Sequence, residues 1–226
     1  MSRDPLKVHR LTKDLRFPDP RSALCGDYAG LVAVGGDLTV ERLLLAYREG
    51  IFPWSVNPIT WWSPDPRAIF ELENVRISRS LAKVLKKHPF QITQDRAFEE
   101  VMRQCAKPGA GREETWVTPE FIRAYVRLHK AGHAHSVECW LDGALVGGVY
   151  GVQIGGFFAG ESMFHRVDNA SKVALHHLLE HLNTQGFKLF DTQVINPATA
   201  KLGAINIPRE NYLTRLREAL ARPCKF

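Results

Sequence analysis

The chain of 226 residues is 45% apolar and 24% charged, ordinary values for a globular protein of one large domain, or of a medium domain with a small one. Its formal net charge of +6 and pI of about 9.3 favour a polyanionic partner, nucleic acid above all. Cys25, Cys105, Cys139 and Cys224 lie far apart with no C-x-x-C pair, which gives a zinc or redox site little support and makes free thiols the simpler account, and a membrane span is excluded because no apolar run nears the roughly 20 residues required.

The N-terminus, Met1 to Lys7, contains Asp4 and Pro5 and lacks the apolar stretch of a signal peptide, so a soluble, cytoplasmic protein is expected. Residues 1–66 are rich in Gly, Pro and Trp and hold one clear helix. Thr39 caps it, Leu43, Leu44 and Tyr47 form its apolar face, and Gly50 stops it. From Phe52-Pro53-Trp54 to Pro64-Asp65-Pro66 the chain reads as ordered loop with short extended pieces. The proline cluster there marks a boundary between a small N-terminal α/β domain, 1–66, and a second domain, 67–226.

Three helical segments follow. The first runs from Arg79 to His88, with Leu81, Val84 and Leu85 inward and Pro89 as a stop. Phe98, Val101, Met102 and Cys105 stand at helical spacing in the second. Thr118-Pro119-Glu120 opens the third with an N-cap, a first-position proline and a first-turn acid, and Gly132 ends it. The period then changes. His133 to Leu141 alternates, Asp142-Gly143 makes a hairpin turn, Ala144 to Gln153 is a second strand, and Phe157 to Met163 is a third. An amphipathic helix from Ala170 to Gln185 leads to a fourth strand, Phe187 to Val194, and a last helix begins near Pro208. A helical crossover makes the third and fourth strands parallel neighbours. The fold class is α+β with a mixed, mostly antiparallel sheet, by analogy the layout of GNAT acyltransferases.

Four groups of residues could carry chemistry. Period 2 puts Asp191 and Gln193 on one face of the fourth strand. A carboxylate in an apolar strand is costly unless paired, so Asp191 is either a site residue or an acid satisfying loop amides. Glu161, in Gly160-Glu161-Ser162-Met163-Phe164, would face the same cavity if the strands adjoin, and two acids there suit a cationic group. The alternative is a salt bridge to Arg166 or Lys172. Trp54, Trp61, Trp62 and Trp116 suit either core packing or base stacking. Arg76, Arg79, Lys83, Lys86 and Lys87 lie in a stretch with no acid between Val75 and His88, either a solvated face or a phosphate track.

Other patterns carry less. Ser80-Leu81-Ala82-Lys83 matches S-x-x-K without its companion motifs. The glycines from Gly147 to Gly160 sit in a meander and not between a strand and a helix. His177 and His181 lack the context of a metal site. Phe164 to Ala170 lacks the glycine loop that holds CoA pyrophosphate, so an acyltransferase of this layout would use another donor.

Several segments together resemble one family, the leucyl/phenylalanyl-tRNA–protein transferases. They are Gly30 to Leu38, Gly50 to Trp54, Trp61 to Arg67, Thr115 to Thr118, His133 to Glu138, Gly160 to Phe164, Asn169 to Lys172 and Asp191 to Gln193. The resemblance implies a small N-terminal domain plus a GNAT-like catalytic domain, and transfer of Leu, Phe and less readily Met from aminoacyl-tRNA to proteins beginning with Arg or Lys, which are then degraded. It implies that Trp54 and Trp116 hold the terminal adenosine, that Asp191 and Gln193 lie at the reacting centre, and that Glu161 helps hold the acceptor. Phe158, Met163, Leu175, Leu178 and Phe190 would line the donor side-chain pocket. No metal or cofactor is implied, and a monomer is expected. The rival readings are a non-catalytic tRNA-binding module and a CoA-dependent N-acetyltransferase.

Overall fold

The computed structural model describes residues 8–87, 89–108 and 115–226; His88, read as a helix end, and residues 1–7, read for targeting, lie outside them. The first of two sheets contains β1 (His9–Leu11), β2 (Leu31–Gly35), β3 (Phe52–Val56) and β4 (Ile59–Trp62), in the order β1-β2-β4-β3, with helix α1 (Val40–Arg48) between β2 and β3. Thr39 Oγ1 accepts from Arg42 N at 3.4 Å to start α1, and Gly50, at φ +76°, turns the chain after it. The stretch expected as loop is therefore a hairpin. Pro53 obscured it, since proline cannot donate to a ladder. β3 accommodates Pro53 because it is the edge strand.

The second sheet has seven strands: β5 (Arg67–Phe70), β6 (Gln91–Gln94), β7 (Ala134–Leu141), β8 (Ala144–Ile154), β9 (Phe157–His165), β10 (Leu189–Gln193) and β11 (Ile205–Ile207). Their order is β11-β5-β10-β9-β8-β7-β6, antiparallel throughout except between β9 and β10. The helices are α2 (Arg79–Lys87), α3 (Phe98–Cys105), α4 (Pro119–Lys130), α5 (Ala170–Thr184), α6 (Pro197–Lys201) and α7 (Arg209–Leu220). The meander β7-β8-β9, the crossover helix α5 and the parallel strand β10 are the expected acyltransferase layout, and the α+β class with a mixed, mostly antiparallel sheet holds.

Strands β5, β6 and β11 were not legible, because three or four residues are too few to display a period. Their presence matters: β5 makes β10 a central strand. Helix α5, with α2 beside it, covers one face of the sheet. Helices α3, α4 and α7 cover the other, where the apolar core runs on into α1 and the first sheet. Gly147 lets α5 approach closely, since a Cβ there would stand 2.5 Å from the Cβ of Ala170. β9 and β10 pair only as far as Ala159 opposite Asp191, and β9 then continues with β8 to His165. The gap that opens beyond this last pair holds the site. Among the described residues no helix is long and apolar enough to cross a membrane.

Candidate active site

Two β-bulges aim side chains into the gap. On β9, Gly160 pairs with Gly151 and Ser162 with Tyr150, which leaves Glu161 as the unpaired extra residue. On β10, Asp191 pairs with Ile69 and Gln193 with Ala68, which leaves Thr192 unpaired. Gln193 then adopts φ +58°, a left-handed conformation that costs on the order of 1 kcal/mol for a residue with a Cβ. The regular alternation expected of Asp191 and Gln193 fails at this bulge.

Asp191 is fully buried. Arg67, at the start of β5, donates from Nε to Oδ1 at 2.9 Å and from Nη2 to Oδ2 at 2.6 Å. The Tyr212 hydroxyl donates to Oδ2 at 2.8 Å, and the Gln193 main-chain N–H to Oδ1 at 2.8 Å. Arg67 lies between the Phe52 and Tyr212 rings, its guanidinium carbon 4.7 and 4.4 Å from their centroids, and donates to the Gly50 carbonyl at 3.0 Å. Burial works against charge on Arg67; the Asp191 carboxylate outweighs it and holds the guanidinium above its ordinary value. The cost of burying this acid is thus met by a bidentate ion pair as well as by a backbone amide.

Glu161 is part-buried and bonds neither Arg166 nor Lys172, whose side chains bond Gln104 and Asn169 instead. Its Oε1 accepts from the Tyr47 hydroxyl at 2.8 Å and from Gln193 Nε2 at 3.2 Å. Tyr125 OH is 2.5 Å from Tyr47 OH and 3.3 Å from Glu161 Oε2. Each hydroxyl has one proton, so Tyr47 donates to Glu161 while Tyr125 supports Tyr47 or the second oxygen. Burial, above all, pushes the Glu161 carboxyl up to about 8, with the Asp191 charge adding to it against the tyrosine hydrogen bonds. Burial and the Glu161 charge hold Tyr47 and Tyr125 well above the usual phenol value, so both remain donors.

Two cavities meet at Glu161. One, of about 340 Å³, is lined by Phe70, Trp116, Glu161, Met163, Leu175, Phe190 and Gln193 among others. The second, of about 290 Å³, is lined by Phe52, Trp54, Trp116, Glu161, Gln193 and Asn196 among others. Trp54, Trp116, Glu161 and Gln193 therefore surround one space, whereas Asp191 lines neither cavity: Arg67 and Tyr212 enclose it behind Gln193. Of the five apolar residues expected to form a pocket, Met163, Leu175 and Phe190 line the larger cavity. Phe158 stands behind it, stacked on Phe190 at 5.7 Å, and Leu178 lies in the core under α5. Trp61 is core, with its Nε1 bonded to the Gly35 carbonyl at 2.8 Å. Arg76, Arg79, Lys83, Lys86 and Lys87 are all exposed on or before α2, and among the described residues their side chains make no hydrogen bond or ion pair.

The family model described as leucyl/phenylalanyl-tRNA protein transferase matches residues 69–217, and that described as its N-terminal domain matches 36–65. The chain belongs to this family. By that membership it is an aminoacyltransferase. It is 50% identical over 220 residues to the leucyl/phenylalanyl-tRNA–protein transferase of Pseudoalteromonas atlantica (strain T6c), covering 96% of this chain and 94% of the relative. To the protein of the same name in Shewanella baltica (strain OS185) it is 54% identical, covering 92% and 88%. The solved structure of L-PGS from Bacillus licheniformis is 15% identical, with a TM-score of 0.42 over 70% of this chain and 51% of that one.

The segments that carry the transferase resemblance supply much of the site: Gly50 to Trp54, Trp61 to Arg67, Thr115 to Thr118, Gly160 to Phe164 and Asp191 to Gln193 all contribute residues to the cavity walls or to the pair behind them. The pattern did not single out Arg67, Tyr47, Tyr125 and Tyr212. In the sequence Tyr47 belongs to the apolar face of a helix, a position that predicts packing. A signal was available there, because a buried tyrosine hydroxyl seeks a polar partner.

Proposed function

We propose that this transferase moves leucine, phenylalanine and, less readily, methionine from aminoacyl-tRNA to the α-amino group of proteins beginning with Arg or Lys, marking them for degradation. The carrying observation is that Glu161 and Gln193 meet two aromatic walls, Trp54 and Trp116, beside an apolar pocket. The terminal adenosine lies between the tryptophans, and the donor side chain enters the pocket floored by Met163, Leu175 and Phe190. Phe158 and Leu178 shape that floor from behind.

The acceptor arrives as an ammonium with a pKa of about 7.7–8.0. Glu161, at about 8, is matched to it, so proton transfer between them is close to balanced. In this reading Glu161 binds the α-ammonium and takes one proton, and the neutral amine attacks the ester carbonyl carbon. The C–N bond forms, the ester C–O bond breaks, and the ribose oxygen leaves as a hydroxyl with the proton removed from the amine. Gln193 orients Glu161 and the carbonyl through its amide. Asp191 is a positioning residue that fixes Gln193 through its main-chain N–H. Orientation of ester and amine supplies much of the acceleration, since the donor is already activated.

Arg76, Arg79, Lys83, Lys86 and Lys87 form the phosphate track for the acceptor end of the tRNA. Residues 1–66 and 67–226 act as the two domains of a cytoplasmic monomer that needs neither metal nor cofactor. The test is labelled Leu-tRNA mixed with peptides beginning with Arg or with Ala. Label on the Arg peptide alone is the expected result. Label that stays on tRNA would return the protein to a binding module, and turnover of acetyl-CoA would make it an acetyltransferase.

A further inference from the structure

Beyond Trp54 the molecule has a third recess, an apolar groove of about 540 Å³ between the first sheet and the segment after β10. Trp54, Trp62, Pro64, Pro66, Val194 and Ile195 form most of its wall. Trp54, Val194 and Ile195 also line the cavity that contains Glu161, so the groove continues directly from the proposed reaction centre. Trp54 is 42% exposed and Val194 43%, an unusual amount of large apolar surface at one place.

The polar groups of this groove narrow its occupant. Among the described residues no lysine or arginine lines it. Trp62 Nε1 donates to Thr60 Oγ1 at 2.9 Å, and the Ser55 and Thr60 hydroxyls bond each other at 2.7 Å, so these donors are engaged within the groove. The charged group of the lining is Asp65, whose carboxylate accepts from Arg209 N at 3.1 Å. A phosphodiester would find no cation there and would meet a carboxylate. An uncharged, apolar stretch of polypeptide would find two indole rings and two prolines.

We propose that this groove is the subsite for the second and third residues of the acceptor polypeptide, and that it selects apolar side chains at those positions. The proposal rests on the acceptor reading above. With the first residue at Glu161, an extended chain advances about 3.3 Å per residue, so the next two residues run roughly 7 Å outward along this wall. An indole platform and apolar walls reward apolar side chains through the surface they take from water.

The experiment compares transfer from one charged tRNA to Arg-Leu-Leu-amide, Arg-Gly-Gly-amide and arginine amide. Wild type is expected to show kcat/KM about tenfold higher for the leucyl peptide than for the glycyl peptide, the ratio for one moderately buried side chain. Trp62→Ala should collapse that ratio towards one. Ala29→Asp, at an exposed position on the groove, gives a second variant that spares the core and should lower the ratio in the same way. Equal use of the two peptides by wild type overturns the proposal. So does a variant that raises the KM for charged tRNA and keeps the peptide ratio, which would assign the groove to RNA. Failure to label any Arg-initiated acceptor, arginine amide included, would instead sink the transferase reading on which the proposal rests.

Discussion

Arg67 and Asp191 lie 124 residues apart and meet in a fully buried bidentate pair, 2.9 Å from Nε to Oδ1 and 2.6 Å from Nη2 to Oδ2. The pair closes off the acid that the strand pattern had pointed towards the cavity, and leaves the part-buried Glu161 as the acid that lines it beside Gln193. Removing one partner strands the other charge in the interior. Asp191→Ala should therefore cost about 3–5 kcal/mol of stability, read by urea unfolding. The double variant Arg67→Met, Asp191→Leu should recover most of that stability without recovering activity, because Gln193 loses the carboxylate that holds its main-chain N–H. Recovery of activity together with stability would refute a positioning role.

Glu161 supplies a pH signature. Its folded pKa of about 8 lies above the ordinary 4.5, so its contribution to stability is fully present below about pH 4.5 and is lost as the pH rises through 8. Glu161→Gln should melt higher than wild type, with the difference growing from pH 5 to pH 9. The same variant should lose most of its kcat and show only the titration of the acceptor amine in its pH–rate profile. A profile identical to wild type at lowered rate would restrict Glu161 to holding the ammonium.

Gly160 borders the donor pocket, and a Cβ there would stand 2.5 Å from Phe190 Cζ. Phe190 cannot simply retreat, because Phe158 is stacked behind it at 5.7 Å. Gly160→Ala should push the Phe190 ring into the cavity, cost about 1–3 kcal/mol through overpacking, and reduce transfer of Phe more than transfer of Leu. Wild type should also discriminate against Val and Ile, whose branched β-carbons fit the slot poorly. Equal transfer of Val and Leu from matched tRNAs would refute the pocket assignment.

The Phe158 ring is itself backed by Phe226, with centroids 5.7 Å apart and planes at 24°. Phe226→Ala should loosen this row of rings. The expected result is a smaller ratio between Leu and Met as donors, with the KM for the acceptor peptide unaltered.

The α2 cations form no intramolecular pairs among the described residues, so their charge is free for a polyanion. Lys83→Ala and Lys87→Ala should each weaken tRNA binding and reduce the slope of log K against log salt by about 0.7–0.9 if each meets one phosphate. An unchanged slope would make the face merely solvated.

The sequence alone determined every helix but the five-residue α6, together with the β7-β8-β9 meander and the parallel return through α5, because these elements are long enough for their apolar period and their caps to be read locally. It also marked Glu161 and Asp191, because a carboxylate among apolar strand residues needs a reason to be there. It could not decide which of the two faces the cavity. That depended on Arg67 arriving on β5, a four-residue strand with no period to read, and on bulges at Glu161 and Thr192 that re-aim side chains against strand alternation. Tyr47 and Tyr125 likewise became partners of Glu161 only when α1 and α4 packed together. Local pattern reports which face of an element is buried; ladder slips and contacts between distant segments fix which buried group meets which, and only the tertiary structure supplies those.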